Sequence, residues 1–160
     1  MKVPAKDLSG FNEGHSHFGA TMWHQDQAAL TADSTNTQLL TIWVAMTDVS
    51  VERGCLAAMR GSHKKQTTIH CPGKTSDFDN SIPDNILGTP EGEQEATLLP
   101  VKRGGAVILT QYTEHGGMPN LTDKLRWSFD LRFNPAGQLS GRSVFPSFLA
   151  RSKENPEQVL

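Results

Sequence analysis

The sequence predicts a mostly β domain, a barrel or a double-sheet jelly roll, and three observations carry that expectation. Residues 125–133 alternate strictly, with Leu125, Trp127, Phe129, Leu131 and Phe133 set against Arg126, Ser128, Asp130 and Arg132. Successive side chains of a strand point to opposite faces, so this period of two reads as a single β-strand. Several shorter apolar runs are punctuated by polar turns rich in Gly, Asp, Asn, Ser and Thr, the pattern of short strands closing into a barrel or sandwich. Finally, no stretch carries a helical period of 3.6, the tail after Phe148 being the one candidate.

In chain order, the first 20 residues are polar and Gly-rich, and "GFNEGHSHFG" at 10–19 reads as irregular structure. A short strand follows over 20–28, containing Trp23, His24 and Asp26, and the polar run 31–37 turns the chain. Residues 38–49 are rich in β-branched side chains, with Ile42, Val44 and Met46 on one side and Thr41, Trp43 and Ala45 on the other. The next apolar strand, 55–59, closes in the turn "RGSHK". Residues 64–95 hold three prolines, three glycines and many Asp, Asn, Ser and Thr, and read as a long surface loop, of the kind that often covers a site as a lid. Strands resume at 96–100 and 106–112, on either side of the Gly104–Gly105 turn, before the alternating segment.

With 160 residues, the chain is sized for one domain, 1–160. Fifteen basic residues stand against 17 acidic ones, a formal charge of −2. Neither nucleic acid nor an anionic membrane is therefore expected as a partner. Cys55 and Cys71 belong to no CxxC or Cys/His cluster, which favours reduced thiols and a cytoplasmic setting. Residues 1–10 carry no secretory h-region, and no apolar run approaches the roughly 20 residues of a membrane span. A small molecule is the expected partner, and the oligomeric state is not legible.

The chemistry centres on "WHQDQ". His24 and Asp26 are two apart, so on a strand both would leave the same face. An imidazole and a carboxylate so placed can share a metal ion, with His115 in "TEHGGMPN" as the candidate third ligand. Two His and one carboxylate on one face of an octahedron leave open positions for a bidentate co-substrate and O2, the pattern of non-haem Fe(II) oxygenases. Arg126 lies eleven residues after His115, on the polar face of the alternating strand. A barrel-facing Arg needs an anion, and its planar fork fits a carboxylate such as the distal one of 2-oxoglutarate.

Taken in order, "WHQD", "IWVAMTDVSVERGCL", "GSHK", "VKRGGAVILTQYTEHGGMPN" and "LRWSFDLRF" resemble the phytanoyl-CoA dioxygenase family over about residues 20–133. The tail "FPSFLARSKENPE" looks like the family's bacterial and fungal members. The resemblance implies a double-stranded β-helix (jelly-roll) fold and iron held by His24, Asp26 and His115. It also implies 2-oxoglutarate anchored by Arg126, with Trp43 lining the co-substrate pocket and Gln25 near it. The activity implied is hydroxylation or a related C–H oxidation of a small organic substrate, with O2 consumed, succinate and CO2 released, and ascorbate as activator in the assay. An Asp at position 26 argues against the halogenases of the superfamily, which put a small residue there. His70 falls where some relatives place a site-lining histidine, whereas His63 reads as a turn residue making local hydrogen bonds. Two departures stand out. Gly117 occupies a position where relatives usually carry a hydroxyl residue, and only 23 residues precede His24, far fewer than in relatives. The chain thus reads as part of a longer one.

Three rivals compete. A cupin-like metal protein would use His15 and His17, but Thr21 and Met22 stand where a Glu is wanted. A zinc hydrolase on the same three ligands would need a nucleophile or general-base motif, and neither HExxH nor GxSxG occurs. A non-catalytic jelly-roll module would keep the fold without turnover.

Overall fold

The computed structural model describes residues 2–4, 20–71, 81–83, 95–142, 146–151 and 153–157. The apolar runs become strands where β-branched and aromatic side chains fit a pleated, half-buried surface. The described strands are β1 (Lys2–Pro4), β2 (Thr21–His24), β3 (Leu40–Ala45), β4 (Leu56–Met59), β5 (Glu95–Leu99), β6 (Ala106–Thr110), β7 (His115–Gly117) and β8 (Ser128–Phe133). They form two sheets, ordered β1-β5-β4-β7-β2 and β6-β3-β8, and every pairing is antiparallel. One apolar cluster joins the two, with Trp23, Ala57 and Leu98 from the first sheet and Trp43, Ala45 and Leu109 from the second. The expectation of a mostly β, two-sheet jelly roll holds.

The strands are shorter than the sequence suggests, and β1 and β7 were not expected as strands. The segment expected as a strand over 20–28 stops at His24, and Asp26–Ala29 is a 3-10 turn. Residues 146–151 and 153–157 hold no helix, so the period in the tail is not realised. Among the described residues, no helix is long and apolar enough to cross a membrane. Cys55 is buried and Cys71 exposed, and both are free.

The register decides which face of β8 lies with the buried face of β3. Thr41 lies opposite Arg132, Trp43 opposite Asp130 and Ala45 opposite Ser128. Directly opposed residues share a face, and Thr41, Trp43 and Ala45 form the buried face of β3. The polar set of β8 therefore shares the face of Thr41, Trp43 and Ala45, with Ser128 half-buried and Asp130 and Arg132 at its open end. Phe129, Leu131 and Phe133 look outward and remain 47%, 43% and 42% exposed.

The 64–95 excursion is more than surface. Backbone bonds of 2.8 and 3.0 Å pair Cys71 with Ser81, and the Ile82 N–H donates to the Trp23 carbonyl at 2.8 Å. Ile82 itself belongs to the core. Residues 72–80 and 84–94, the body of the expected lid, lie outside the described residues.

Candidate metal centre

His24 ends β2 and His115 begins β7, and the register sets them directly opposite each other, with ring centroids 4.3 Å apart. Gly116 permits this approach, because a Cβ there would stand 3.0 Å from the Thr21 carbonyl oxygen. Asp26 arrives by another route than expected. Gln25 is extended (φ −116°, ψ 139°) and Asp26 opens the 3-10 turn, so the His-x-Asp pair does not lie on one continuous strand. The turn still brings Asp26 Oδ1 to 4.0 Å from His24 Nε2. One potential ligand atom from each of His24, Asp26 and His115 lies within 4.8 Å of the others.

The second nitrogens show how the imidazoles are oriented. His24 Nδ1 lies 2.8 Å from the Met22 carbonyl, and His115 Nδ1 lies 2.8 Å from the Thr113 carbonyl. A carbonyl only accepts, so both Nδ1 atoms carry a proton, and in the neutral imidazole the Nε2 lone pair is the one left for a ligand. Burial lowers the His24 pKa below its ordinary 6.5, and neighbouring His115 adds to the effect, which favours the neutral, ligating form. Asp26 is held on both oxygens. Thr41 Oγ1 donates to Oδ2 at 2.5 Å and Arg132 donates to Oδ1 at 2.8 Å. Burial opposes its ionisation, but Arg132, His115 and the Thr41 bond together hold its pKa below the ordinary 3.8.

Gln25 and His70 are joined by hydrogen bonds to each other and to the chain around them. The Gln25 N–H donates to His70 Nε2 at 3.0 Å, and its side-chain amide donates to the Tyr112 carbonyl at 2.8 Å. Its Oε1 accepts from the Thr68 N–H at 2.7 Å. A residue 1% exposed with its polar atoms so engaged is a linker. It ties the 66–70 loop to the backbone on either side of the centre. His70 completes the link, its Nδ1–H donating to the Thr68 carbonyl at 2.7 Å. In the "GSH" turn His63 is exposed, and among the described residues the side-chain hydrogen bonds are those of Ser62. Ser62 Oγ donates to the Met59 carbonyl at 2.7 Å and accepts from the Glu114 N–H at 2.9 Å.

Arg126 sits just before β8 and is half-buried. Its guanidinium carbon lies 5.9 Å from the Trp43 ring centroid, within cation–π range. Trp43 is buried. Gly117 is buried on β7, two residues beyond His115. His15 and His17 lie outside the described residues.

Arg132 and Thr41 were missed as partners of the centre. The alternation had put Arg132 on the same face as Arg126, and the β3 pattern had put Thr41 beside Trp43. Only the cross-strand register, which no local pattern reveals, brings both onto Asp26.

The model of the family described as phytanoyl-CoA dioxygenase (PhyH) matches residues 5–128, well over half of the chain. The chain belongs to the phytanoyl-CoA dioxygenase family. The family and the structural neighbours are Fe- and 2-oxoglutarate-dependent oxygenases, and the three clustered side chains are a donor set that could hold such an ion. Phytanoyl-CoA dioxygenase domain-containing protein 1 of Rattus norvegicus is 30% identical over 138 residues, covering 81% of this chain and 44% of the relative. The crystal structure of EvdO2 from Micromonospora carbonacea var. aurantiaca with 2-oxoglutarate matches at a TM-score of 0.62 and 28% identity, over 82% of this chain and 50% of that one. The epimerase SnoN, in complex with Fe3+, alpha ketoglutarate and nogalamycin RO, matches at 0.55 and 27%, over 86% and 55%. The chain thus spans about half the length of these proteins.

Proposed function

We propose that this phytanoyl-CoA dioxygenase family chain is the core of an Fe(II)- and 2-oxoglutarate-dependent oxygenase that hydroxylates, or otherwise oxidises at carbon, a small organic substrate. The observation that carries this reading is the convergence of His24, Asp26 and His115, with both Nε2 lone pairs left available by bonds from Nδ1 to the chain. His24 and His115 are the neutral ligands and Asp26 the anionic one. When bound, iron with 2-oxoglutarate and O2 supplies the oxidising power, and succinate and CO2 leave as products.

The chain's own residues perform binding, orientation and exclusion of water. Arg126 receives the distal carboxylate of 2-oxoglutarate in its planar fork, and Trp43 supports the guanidinium from one side. Thr41 and Arg132 fix both oxygens of Asp26 and so restrict its rotation about the centre. Gly117 offers no hydroxyl two residues beyond His115, and Arg126 then carries more of the co-substrate's recognition. Gln25 and His70 are positioning residues, holding the loop that flanks the ligand turn.

The test is succinate release from 2-oxoglutarate with added Fe(II) and ascorbate, measured on the gene product together with anaerobic Fe(II) binding. Turnover that disappears in Asp26→Ala, along with Fe(II) affinity, is the expected result. Absence of Fe(II) binding by the folded wild type would refute the reading. Fe(II) binding without any decarboxylation of 2-oxoglutarate would mark a non-catalytic metal module instead.

A further inference from the structure

A cavity of about 720 Å³ is lined in part by Arg132, the residue that also donates to Asp26. That volume is in the range of small-molecule sites. Leu30, Leu39, Phe133 and Phe148 supply apolar wall, and Arg132, Asp130 and Arg142 supply charge. Leu30 directly follows the 3-10 turn that presents Asp26, so the cavity and the ligand turn share one piece of backbone.

The cations of this cavity differ in how they are neutralised. Arg132 is paired twice, with Asp26 Oδ1 at 2.8 Å and Asp130 Oδ2 at 3.2 Å. Arg142 is half-buried, and no hydrogen bond or ion pair of its guanidinium is found among the described residues. Burial and the like charge of Arg132 both weigh against its charged form, with Asp26 and Asp130 opposing them. A half-buried cation beside another cation is costly unless an anion joins them.

The position of Arg142 is built rather than incidental. The preceding residue, Gly141, has φ +74°, and a Cβ there would come within 2.6 Å of Leu30 Cδ2. Its carbonyl accepts from the Thr31 N–H at 2.9 Å, and Thr37 Oγ1 donates to the Leu139 carbonyl at 2.9 Å. The segment before Arg142 is therefore fastened to the polypeptide just beyond Asp26. A divalent ion on Asp26 would also draw charge from the carboxylate that now neutralises Arg132, leaving the cavity more positive.

We infer that this cavity is the substrate site and that Arg142, beside Arg132, recognises an oxyanion group on an otherwise apolar organic substrate, whose body lies along Leu30 and Leu39. The inference rests on the oxygenase reading and names the substrate class it takes. Arg126 lies before β8, six residues ahead of Arg132 in the sequence, and serves the co-substrate, so the two anions have separate arginines.

The experiment is calorimetric titration of the Ni(II)-loaded protein, saturated with 2-oxoglutarate, using hexanoate, inorganic phosphate and hexanol as probes. Hexanoate or phosphate should bind, the stronger of the two telling a carboxylate from a phosphoryl group. Arg142→Gln should weaken that binding about tenfold or more, while Arg142→Lys keeps most of it. Leu30→Ala, a second variant that leaves the arginines intact, should weaken hexanoate more than phosphate. Unchanged oxyanion affinity in Arg142→Gln, or no oxyanion binding by the wild type, overturns the inference. Ni(II) and 2-oxoglutarate are titrated separately, so their failure to bind would count against the oxygenase reading and not against Arg142.

Discussion

Gly116→Ala tests whether the close approach of β2 and β7 is what fixes the two histidines against each other. The new Cβ would stand 3.0 Å from the Thr21 carbonyl oxygen, 3.5 Å from the Trp23 nitrogen and 3.6 Å from the Met22 carbonyl carbon. All three are backbone atoms and no side chain can swing aside, so β2 must withdraw by a few tenths of an ångström. Overpacking of this kind costs about 1–3 kcal/mol. Gly116 does not have positive φ, so the stiffer unfolded chain returns about 0.4–1 kcal/mol. The net loss is then about 0.5–2 kcal/mol, or a Tm lowered by roughly 1–8 °C for a chain of this size. The effect on the centre is larger in proportion, because His24 lies at the end of the displaced strand and site geometry tolerates only about 0.5 Å. Ni(II) or Fe(II) affinity should fall about tenfold, read by anaerobic titration under conditions where both proteins are folded. Wild-type metal affinity in Gly116→Ala would refute the claim that this backbone contact sets the His24–His115 geometry.

Three further outcomes are expected. Thr41→Val removes the 2.5 Å donor to Asp26 Oδ2, a bond to a charged acceptor worth about 1.5–3 kcal/mol. Chemical denaturation should show a loss in that range, with weaker metal binding. Arg126→Gln should weaken 2-oxoglutarate binding, by about 1.5–3 kcal/mol for a lost charge-assisted contact, and leave metal affinity nearly unchanged. Equal losses of both would contradict its role. Burial depresses the His70 pKa below 6.5, and His70 Nε2 accepts the Gln25 N–H. The folded state therefore holds this proton less well than the unfolded state, and stability should decline as pH falls below 6.5. Denaturation midpoints between about pH 8 and about pH 5 should show a slope that His70→Gln reduces; an unchanged slope would remove His70 from the account.

Much of this was legible in the sequence because it depends on local spacing. The period of two identified β8, the β-branched run identified β3, and "WHQD" with "TEHGG" and a following Arg named the centre's residues. What local spacing could not give was the manner of convergence. Asp26 reaches His24 through a 3-10 turn rather than along a strand, because Gln25 is drawn away into bonds with Thr68 and Tyr112. Ile82 lies in a segment whose composition reads as surface loop, yet a single bond to the Trp23 carbonyl and core packing hold it inside.

Alternation by itself determined that β8 is a strand with one polar and one apolar face, and which residues share each. Only the tertiary structure decided that the polar face is the one shared with Thr41, Trp43 and Ala45. The physical reason lies in the partners waiting there: Asp26 is a buried carboxylate that needs Arg132, and Arg126 rests over Trp43. A buried charge is tolerated when a partner from another strand meets it, and those partners stand 106 residues apart for Arg132 and Asp26, beyond the reach of any period in the chain.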